Sequence, residues 1–225
     1  MRRILAAVLC AGFLVLPVKA EETKYVALTF DDGPSGHYTA QLLDGLYDRG
    51  VRATFLLCGY RVEQFPELTQ RIFDEGHEIG YHGFSHKNLS QLSRRDMVEE
   101  LEKCRALLPE GCRPKFLRPP GGNVSDALRQ VMEARNLAIL GWSVDPRDWA
   151  TRDTAAIEGS VLGSVKDGDI ILLHDTSDSS VKAALDIVDK LQDQGYELVT
   201  VSELAYLRHT PLKGGKVYKR FYKED

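Results

Sequence analysis

Residues Tyr25 to Pro34 read YVALTFDDGP, and this stretch decides the fold class. Six apolar or strand-forming residues are followed at once by Asp, Gly and Pro, which favour turns. A short, almost continuous apolar run of this kind is typical of a strand that is buried on both faces, as in a parallel sheet. Adjacent side chains diverge at the end of a strand, so Asp31 and Asp32 are predicted to have separate tasks.

The same pattern recurs along the chain and alternates with longer segments of helical spacing, among them 38–49, 93–108 and 181–191. This alternation predicts a mostly parallel sheet covered by helices. We expect a single-domain α/β fold, a distorted or incomplete (β/α)7 barrel, with a doubly wound sheet as the alternative. The seven predicted strands are Tyr25–Phe30, Ala53–Cys58, Glu78–Tyr81, Lys115–Arg118, Ala138–Ser143, Asp169–His174 and Glu197–Val201.

The first 20 residues have the build of a secretory signal peptide. Arg2 and Arg3 precede an apolar run of about 15 residues, which is short for a membrane span, and the segment ends in the small residue Ala20. We therefore expect a secreted or cell-surface protein with no membrane span after cleavage, and an uncleaved anchor is the alternative. The predicted organisation is a signal peptide at 1–20, one folded domain at 21–207 and a basic tail at 208–225.

The chain has 225 residues, of which 43% are hydrophobic, and a formal net charge of −4. Without residues 1–20, which hold three basic residues and no acidic one, 26 basic residues face 33 acidic ones, a net charge of −7. This balance argues against nucleic acid or an anionic membrane as the main partner. The basic segment 213–223 is predicted to be a terminal extension that packs a few aromatic residues back on the domain, with a polymer-binding patch as the alternative. We expect the protein to be a monomer.

Three cysteines follow the predicted signal peptide. Cys104 and Cys112 flank a predicted turn at 107–111, which favours a local disulfide, with two unpaired thiols as the alternative. Cys58 lies in an apolar run and is predicted to be a buried small side chain.

Polar residues follow five of the seven predicted strands. The carboxyl ends of parallel strands meet on one face, where sites in such folds are built. We therefore expect one site that combines Asp31 and Asp32, His82 and His86, residues 118–122, residues 145–149 and His174.

His82 and His86, in HGFSH, are four residues apart, a spacing that on one helical turn aims both rings at a common point. Taken alone, the motif also suits two ordinary surface histidines. With Asp32 as a third ligand, the set predicts a catalytic divalent metal site that leaves positions open for water and substrate. Zinc is the default ion, and such ligands also accept cobalt, nickel or manganese.

If Asp32 binds the metal, Asp31 is free to take a proton from the attacking water. In RPPGG (residues 118–122), Arg118 could orient Asp31 with paired donors, and the backbone N–H of Gly121 could meet the oxyanion. A plain turn at Asp31–Pro34 and a rigid surface loop at 118–122 are the alternatives.

His174 is delivered to the same face by an apolar strand and is the obvious proton donor. In WSVDPRDW (residues 142–149), Asp145 is predicted to hydrogen-bond that ring and raise its pKa, which leaves Asp148 as a turn or cap residue. Leu172 and Trp149 could wall a small acyl pocket, although both could equally belong to the core.

The motifs TFDDGP, HGFSH, RPPGG, VDPRDW and LLH, in this order, resemble those of the polysaccharide deacetylases of carbohydrate esterase family 4. The resemblance runs from about Lys24 to Leu204 and implies a distorted (β/α)7 barrel. It also implies removal of N- or O-acetyl groups from glycans such as chitin, peptidoglycan and acetylxylan. It assigns Asp31 as the base, Asp32, His82 and His86 as metal ligands, Arg118 as the residue that tunes the base, His174 as the acid and Asp145 as the residue that tunes the acid.

Two positions depart from the family pattern. Gly83 stands where the family usually has Ser or Thr, and Gly121 stands where it often has an aromatic residue. The expected function is an exported, metal-dependent deacetylase of an acetylated glycan, with N-acetyl groups of GlcNAc-type sugars as the first expectation. The alternatives are an acetylxylan-type O-deacetylase, an amidohydrolase of a non-sugar amide, and a glycan-binding protein without turnover.

Overall fold

The computed structural model describes residues 23–222, so the predicted signal peptide lies outside the described residues. Within this range the strands are β1 (Lys24–Asp31), β2 (Thr54–Leu57), β3 (Glu78–Tyr81), β4 (Phe116–Leu117), β5 (Ala138–Leu140), β6 (Ile170–His174), β7 (Tyr196–Leu198) and β8 (Val217–Tyr218). The helices are α1 (His37–Asp48), α2 (Gly59–Gln64), α3 (Pro66–Asp74), α4 (Arg94–Leu107), α5 (Asp126–Ala134), α6 (Thr154–Leu162), α7 (Asp178–Asp193) and α8 (Val201–Leu207).

The strands form one curled sheet in the order β6-β1-β2-β3-β4-β5-β8, and β7 pairs with the first residues of β1. Every pair of neighbouring strands is parallel. Just beyond β5, Val144 bridges Ile171 of β6, which draws the two ends of the sheet together. The prediction of a distorted (β/α)7 barrel is therefore confirmed, as is a strand at each of the seven predicted places.

Strand β1 shows why these strands are apolar on both faces. Leu28 and Phe30 face outward into a cluster that includes residues of α1 and α7, whereas Ala27 faces the interior. Thr29 and Asp31 alternate with Leu28 and Phe30 and therefore share the interior face with Ala27. The strand thus carries its last carboxylate to the mouth of the barrel.

Strand β8 corrects the predicted boundary at residue 207. Tyr218 pairs with Leu140 of β5 and is only 4% exposed, and Phe221, which is 2% exposed, donates its backbone N–H to the carbonyl of Gly168. Residues 208–222 are thus part of the domain and not a separate tail. The sequence signal was weak because the strand has two residues and lysines on both sides.

The predicted disulfide between Cys104 and Cys112 is wrong for this structure, in which both thiols and that of Cys58 are free and buried. The turn after α4 sends the two side chains into different clusters: Cys104 packs with Leu101 and Tyr81, and Cys112 packs in a separate cluster on the same outward face of the sheet. Burial raises the pKa of Cys104 to about 12 and that of Cys112 to about 11.

None of the helices within residues 23–222 combines the length and the apolar character that a membrane crossing requires.

Candidate active site

Asp31 ends β1 and is held by Arg118, which follows β4. Arg118 Nη1 donates to Asp31 Oδ1 at 2.6 Å and to Thr29 Oγ1 at 2.8 Å, and Nη2 donates to the carbonyl of Gly141 at 2.9 Å. The Arg118 side chain is fully buried and Asp31 is 3% exposed. Three acceptors therefore fix the guanidinium, which in turn fixes the orientation of the Asp31 carboxylate.

Asp32 turns away from Asp31 and towards two histidines. Its backbone has a φ of 73°, in the left-handed region, where Asp is more tolerated than most residues. Oδ1 lies 3.2 Å from Nε2 of His82 and 3.0 Å from Nε2 of His86. The two neighbouring carboxylates thus face different partners, Asp31 towards Arg118 and Asp32 towards the imidazoles.

The donors around Asp32 fit a divalent metal ion. One ligand atom from each of Asp32, His82 and His86 lies within 4.8 Å of the others. His82 Nδ1 is 2.8 Å from the carbonyl oxygen of Arg118, so Nδ1–H donates to it and the lone pair of Nε2 faces Asp32. Asp32 Oδ1 is buried, and it forms no hydrogen bond with any of residues 23–222.

The charge state of Asp32 also suits a ligand. Burial alone would raise its pKa, but the nearby His82 and His86 outweigh burial and hold the pKa well below its ordinary value. Two nitrogen donors and one ionised carboxylate form a set that zinc, cobalt, nickel or manganese accepts.

Glu100 of α4 braces the loop that carries His86, and the sequence did not single it out. Its Oε2 accepts from the backbone N–H of Phe84 at 2.7 Å and of Ser85 at 2.8 Å, and Oε1 accepts from Ser85 Oγ at 2.7 Å. Glu100 is 9% exposed although it is charged. The sequence does place Glu100 on the same face of α4 as the buried Met97 and Cys104. A carboxylate on such a face needs hydrogen-bonding partners, and this could have identified Glu100.

Gly83, the first departure from the family pattern, lies in the same loop with a φ of 82°. A side chain there would be strained, and a Cβ would stand 3.5 Å from Glu100 Oε2. At this site the bracing contact is therefore supplied by the carboxylate of α4.

His174 ends β6, and its ring is held by Asp148. Nδ1 lies 2.7 Å from Asp148 Oδ1, and the backbone N–H of His174 donates to Oδ2 at 2.8 Å. Burial lowers the pKa of His174, but the hydrogen bond and the charge of the fully buried Asp148 outweigh it, so that the pKa rises to about 9. The ring is therefore protonated at neutral pH, and its Nε2 lies 4.0 Å from Asp32 Oδ2.

The assignment of Asp145 to this role is wrong. Asp145 is exposed, and its carboxylate accepts the backbone N–H of Arg147 at 2.9 Å. Val144 is buried where the chain bridges β6, so the next side chain points outward; Arg147, with a φ of 55°, then reverses the chain and brings Asp148 inward. From the sequence D-P-R-D, either carboxylate could have been the partner of His174. Only the left-handed conformation of Arg147 determines that it is Asp148.

Of the three predicted substrate residues, Gly121 follows β4, Trp149 lies in the short turn Asp148–Ala150 between β5 and α6, and Leu172 lies within β6. Gly121 is exposed with a φ of 69°, in the short turn Pro120–Gly122. Leu172 is 5% exposed and, two residues before His174, shares its face of β6. Trp149 is 58% exposed and stacks on the guanidinium of Arg147, whose carbon is 5.2 Å from the ring centroid.

The side chain of Asp175 explains why the residue that follows Asp32 is a glycine, Gly33. Its carboxylate is fully buried against Gly33, where a Cβ would lie 2.5 Å from Oδ2. Thr39 Oγ1 donates to Asp175 and accepts the backbone N–H of Ser35 at 2.6 Å. The loop that follows Asp32 is thereby tied to the end of β6, and burial raises the pKa of Asp175 to about 6.

A family model described as polysaccharide deacetylase matches residues 19–140. The chain is 40% identical to the peptidoglycan-N-acetylmuramic acid deacetylase PdaC of Bacillus subtilis, over 84% of this chain and 42% of that protein. It is 38% identical to a peptidoglycan-N-acetylglucosamine deacetylase of Bacillus cereus, over 88% of this chain and 95% of that protein.

Among solved structures, a family 4 acetyl xylan esterase from Clostridium thermocellum in complex with a cobalt ion superposes with a TM-score of 0.81. It is 33% identical, and the match covers 88% of this chain and 98% of that one.

Proposed function

Because the chain belongs to the polysaccharide deacetylase family, carbohydrate esterase family 4, we propose that it is an exported, metal-dependent deacetylase of an acetylated glycan. The observation that carries this proposal is the arrangement around Asp32. Its carboxylate lies between His82 and His86, with Asp31 on Arg118 on one side and His174 on Asp148 on the other. A base, a metal-ligand set and a protonated acid thus share one mouth of the barrel.

Asp32, His82 and His86 would hold a divalent metal ion, for which zinc is our first candidate. When bound, the ion supplies Lewis acidity to the acetyl carbonyl and to the attacking water.

Asp31 is the proposed general base. Arg118 holds Oδ1, so Oδ2, which lies 3.8 Å from His82 Nε2, is the oxygen that takes the proton of the attacking water. The water oxygen then bonds to the acetyl carbon. The Gly121 N–H donates to the oxyanion that develops there, and Leu172 and Trp149 wall the space for the acetyl methyl.

His174 is the proposed general acid. The ring is already protonated at neutral pH, and Asp148 on Nδ1 directs the other N–H, at Nε2, towards the substrate. When the bond between the acetyl carbon and the sugar nitrogen breaks, the proton on Nε2 passes to that nitrogen. The products are acetate and the free amino sugar.

The proposed substrate carries N-acetyl groups on GlcNAc-type sugars, because the Bacillus relatives are peptidoglycan deacetylases by name. An O-acetyl ester on a xylan-type glycan is the second candidate, favoured by the similarity to the acetyl xylan esterase. A glycan-binding role without turnover is less favoured, because every position that the chemistry needs is filled. We further propose that residues 1–20 direct export and that the mature protein acts as a monomer at the cell surface or outside the cell.

Acetate release from the purified protein, loaded with zinc, tests this function. Acetylated chitin oligomers, peptidoglycan and acetylxylan would be compared under the same conditions, together with a simple acetamide. We expect release from the N-acetylated glycans and its loss on chelation. Release from acetylxylan alone would favour the O-acetyl esterase, and binding without release in any metal would overturn the enzymatic proposal.

A further inference from the structure

A cleft of about 660 Å³ lies beside the proposed active site, between the loop after β4, the start of α5 and the outer edge of β5 and β8. Its volume is within the usual range for small-molecule sites, about 300–1,000 Å³. Gly121 and Gly122 form one end of it, so the cleft begins at the loop that the proposed mechanism uses for the oxyanion. The other lining residues that matter here are Trp142, Arg129 and Lys219.

The floor of the cleft is rigid and apolar. Trp142 is half-buried, and the guanidinium carbon of Arg118 lies 5.7 Å from its ring centroid. A Cβ at Gly122 would lie 2.7 Å from the same ring, so that only a glycine leaves the indole in place. Ile139 and Val217 also line the cleft, so that Trp142 is its main apolar surface on which a sugar ring could stack.

Two positive charges stand over this floor. Arg129 and Lys219 are exposed, and neither forms an ion pair or a side-chain hydrogen bond with any of residues 23–222, although most other arginines in this range do. The stem of Lys219 packs against Gly141, where a Cβ would stand 2.8 Å from Lys219 Cγ. The cleft therefore offers an apolar surface with two cations beside it that no described acidic residue neutralises.

We propose that this cleft is a subsite for a sugar residue that carries a carboxylate, next to the sugar that is deacetylated. The ring lies on Trp142, and Arg129 and Lys219 receive the carboxylate. This inference rests on the proposed function and deepens it. The preferred substrate is an acidic glycan in which carboxylate-bearing sugars alternate with N-acetylglucosamine, as in peptidoglycan strands whose muramic acid carries no stem peptide, and not a neutral chitin oligomer.

The test uses the zinc-loaded protein and three tetrasaccharides: a peptidoglycan tetrasaccharide with free carboxylates, the same molecule with its carboxylates converted to primary amides, and chitotetraose. The variant R129Q/K219Q removes both cations. The control R95Q/K166Q removes two exposed cations that form no ion pair or side-chain hydrogen bond with residues 23–222, so the net charge changes equally. Exposed ion pairs contribute only a modest free energy of binding. We therefore expect R129Q/K219Q to raise KM about tenfold for the carboxylate form only, with kcat unchanged.

Wild type and the control are expected to prefer the carboxylate form, and added salt should weaken that preference. An equal loss on all three substrates, or no difference between R129Q/K219Q and the control, would overturn the proposal. Calorimetry of the carboxylate and amide forms measures binding independently of turnover. Preference for the carboxylate form that is lost in R129Q/K219Q supports the subsite even if no acetate is released, whereas absent release contradicts the proposed function alone.

Discussion

Asp31 and His174 end two neighbouring strands and are partners in register, yet they are held in different ways. Asp31 depends on Arg118, which directly follows β4. The Arg118 guanidinium crosses the interior of the barrel and donates hydrogen bonds to three acceptors. His174 depends on Asp148, which comes from a short turn after β5. The proposed base is thus positioned from the sheet itself, and the proposed acid is positioned from a loop.

The difference has an energetic side. Arg118 and Asp31 form a buried ion pair, and removal of one partner leaves a buried charge uncompensated. Asp148 is also buried, but its partner His174 is partly exposed, so their contact chiefly sets which form of the ring is present. We therefore expect damage to the base side to cost stability as well as activity, and damage to the acid side to change mainly the dependence of activity on pH.

The largest losses of activity are expected from substitutions of the adjacent residues Asp31 and Asp32. Asp31→Asn removes the base and should lower kcat about 10³-fold, within the range for general-base removal, while zinc remains bound. Asp32→Asn should abolish activity and also lose zinc. Acetate release and metal content, measured on both variants, decide which of the two aspartates is the base and which is the metal ligand. Zinc loss in Asp31→Asn with retention in Asp32→Asn would mean that the roles are reversed.

Arg118→Ala tests whether the base side is also structural. We expect it to lower the free energy of unfolding by about 3–5 kcal/mol, as for other broken buried ion pairs, and to abolish activity. Denaturant unfolding followed by circular dichroism measures the change. Arg95→Ala, at an exposed position of α4, is the control and should be close to wild type.

On the acid side, activity should fall as the pH rises through about 9, where His174 loses its proton. Asp148 raises this pKa, so Asp148→Asn should lower it and shift the alkaline limb of the kcat profile to lower pH. At pH 8 the variant should lose about 10- to 100-fold in kcat, a typical cost for the partner of a functional imidazole. Asp145→Asn, the matched control, should keep the wild-type profile; a shift in this variant would restore the role first predicted for Asp145.

The smallest of these effects is expected at Glu100, which supports a metal ligand through the loop. Glu100→Gln keeps the size of the side chain but weakens its hydrogen bonds to the loop of His86, and we expect zinc to bind about tenfold more weakly. Competition with a chromogenic chelator measures the affinity. Glu99→Gln, next to it on the exposed face, should leave zinc affinity unchanged.

The same contrast explains what the sequence could predict. Residues at strand ends are placed by the period of the strand and by parallel pairing, and both are visible in the apolar runs. Asp31, His82 and His174 were therefore expected on one face, and the structure brings them together. Arg118 was also predictable, because an arginine that follows a buried strand needs a carboxylate.

What escaped prediction depends on backbone conformation or on distant packing. Asp145 and Asp148 differ by the left-handed residue Arg147, which no composition rule identifies. Glu100 acts through Phe84 and Ser85, 16 and 15 residues away, and is found only when α4 is seen against the loop. The disulfide prediction failed for a similar reason, because the spacing of Cys104 and Cys112 did not reveal that the turn places them in two different clusters.

The pairing of β8 with β5 determines when the fold can be completed. Within residues 23–222, Ile139 and Leu140 receive their second strand neighbour from Val217 and Tyr218, 78 residues later in the chain. A nascent chain therefore exposes an unpaired edge at β5 until residues 217 and 218 have been made, and such edges promote aggregation. We expect a variant that stops at residue 207 to aggregate even though it contains every residue of the proposed mechanism.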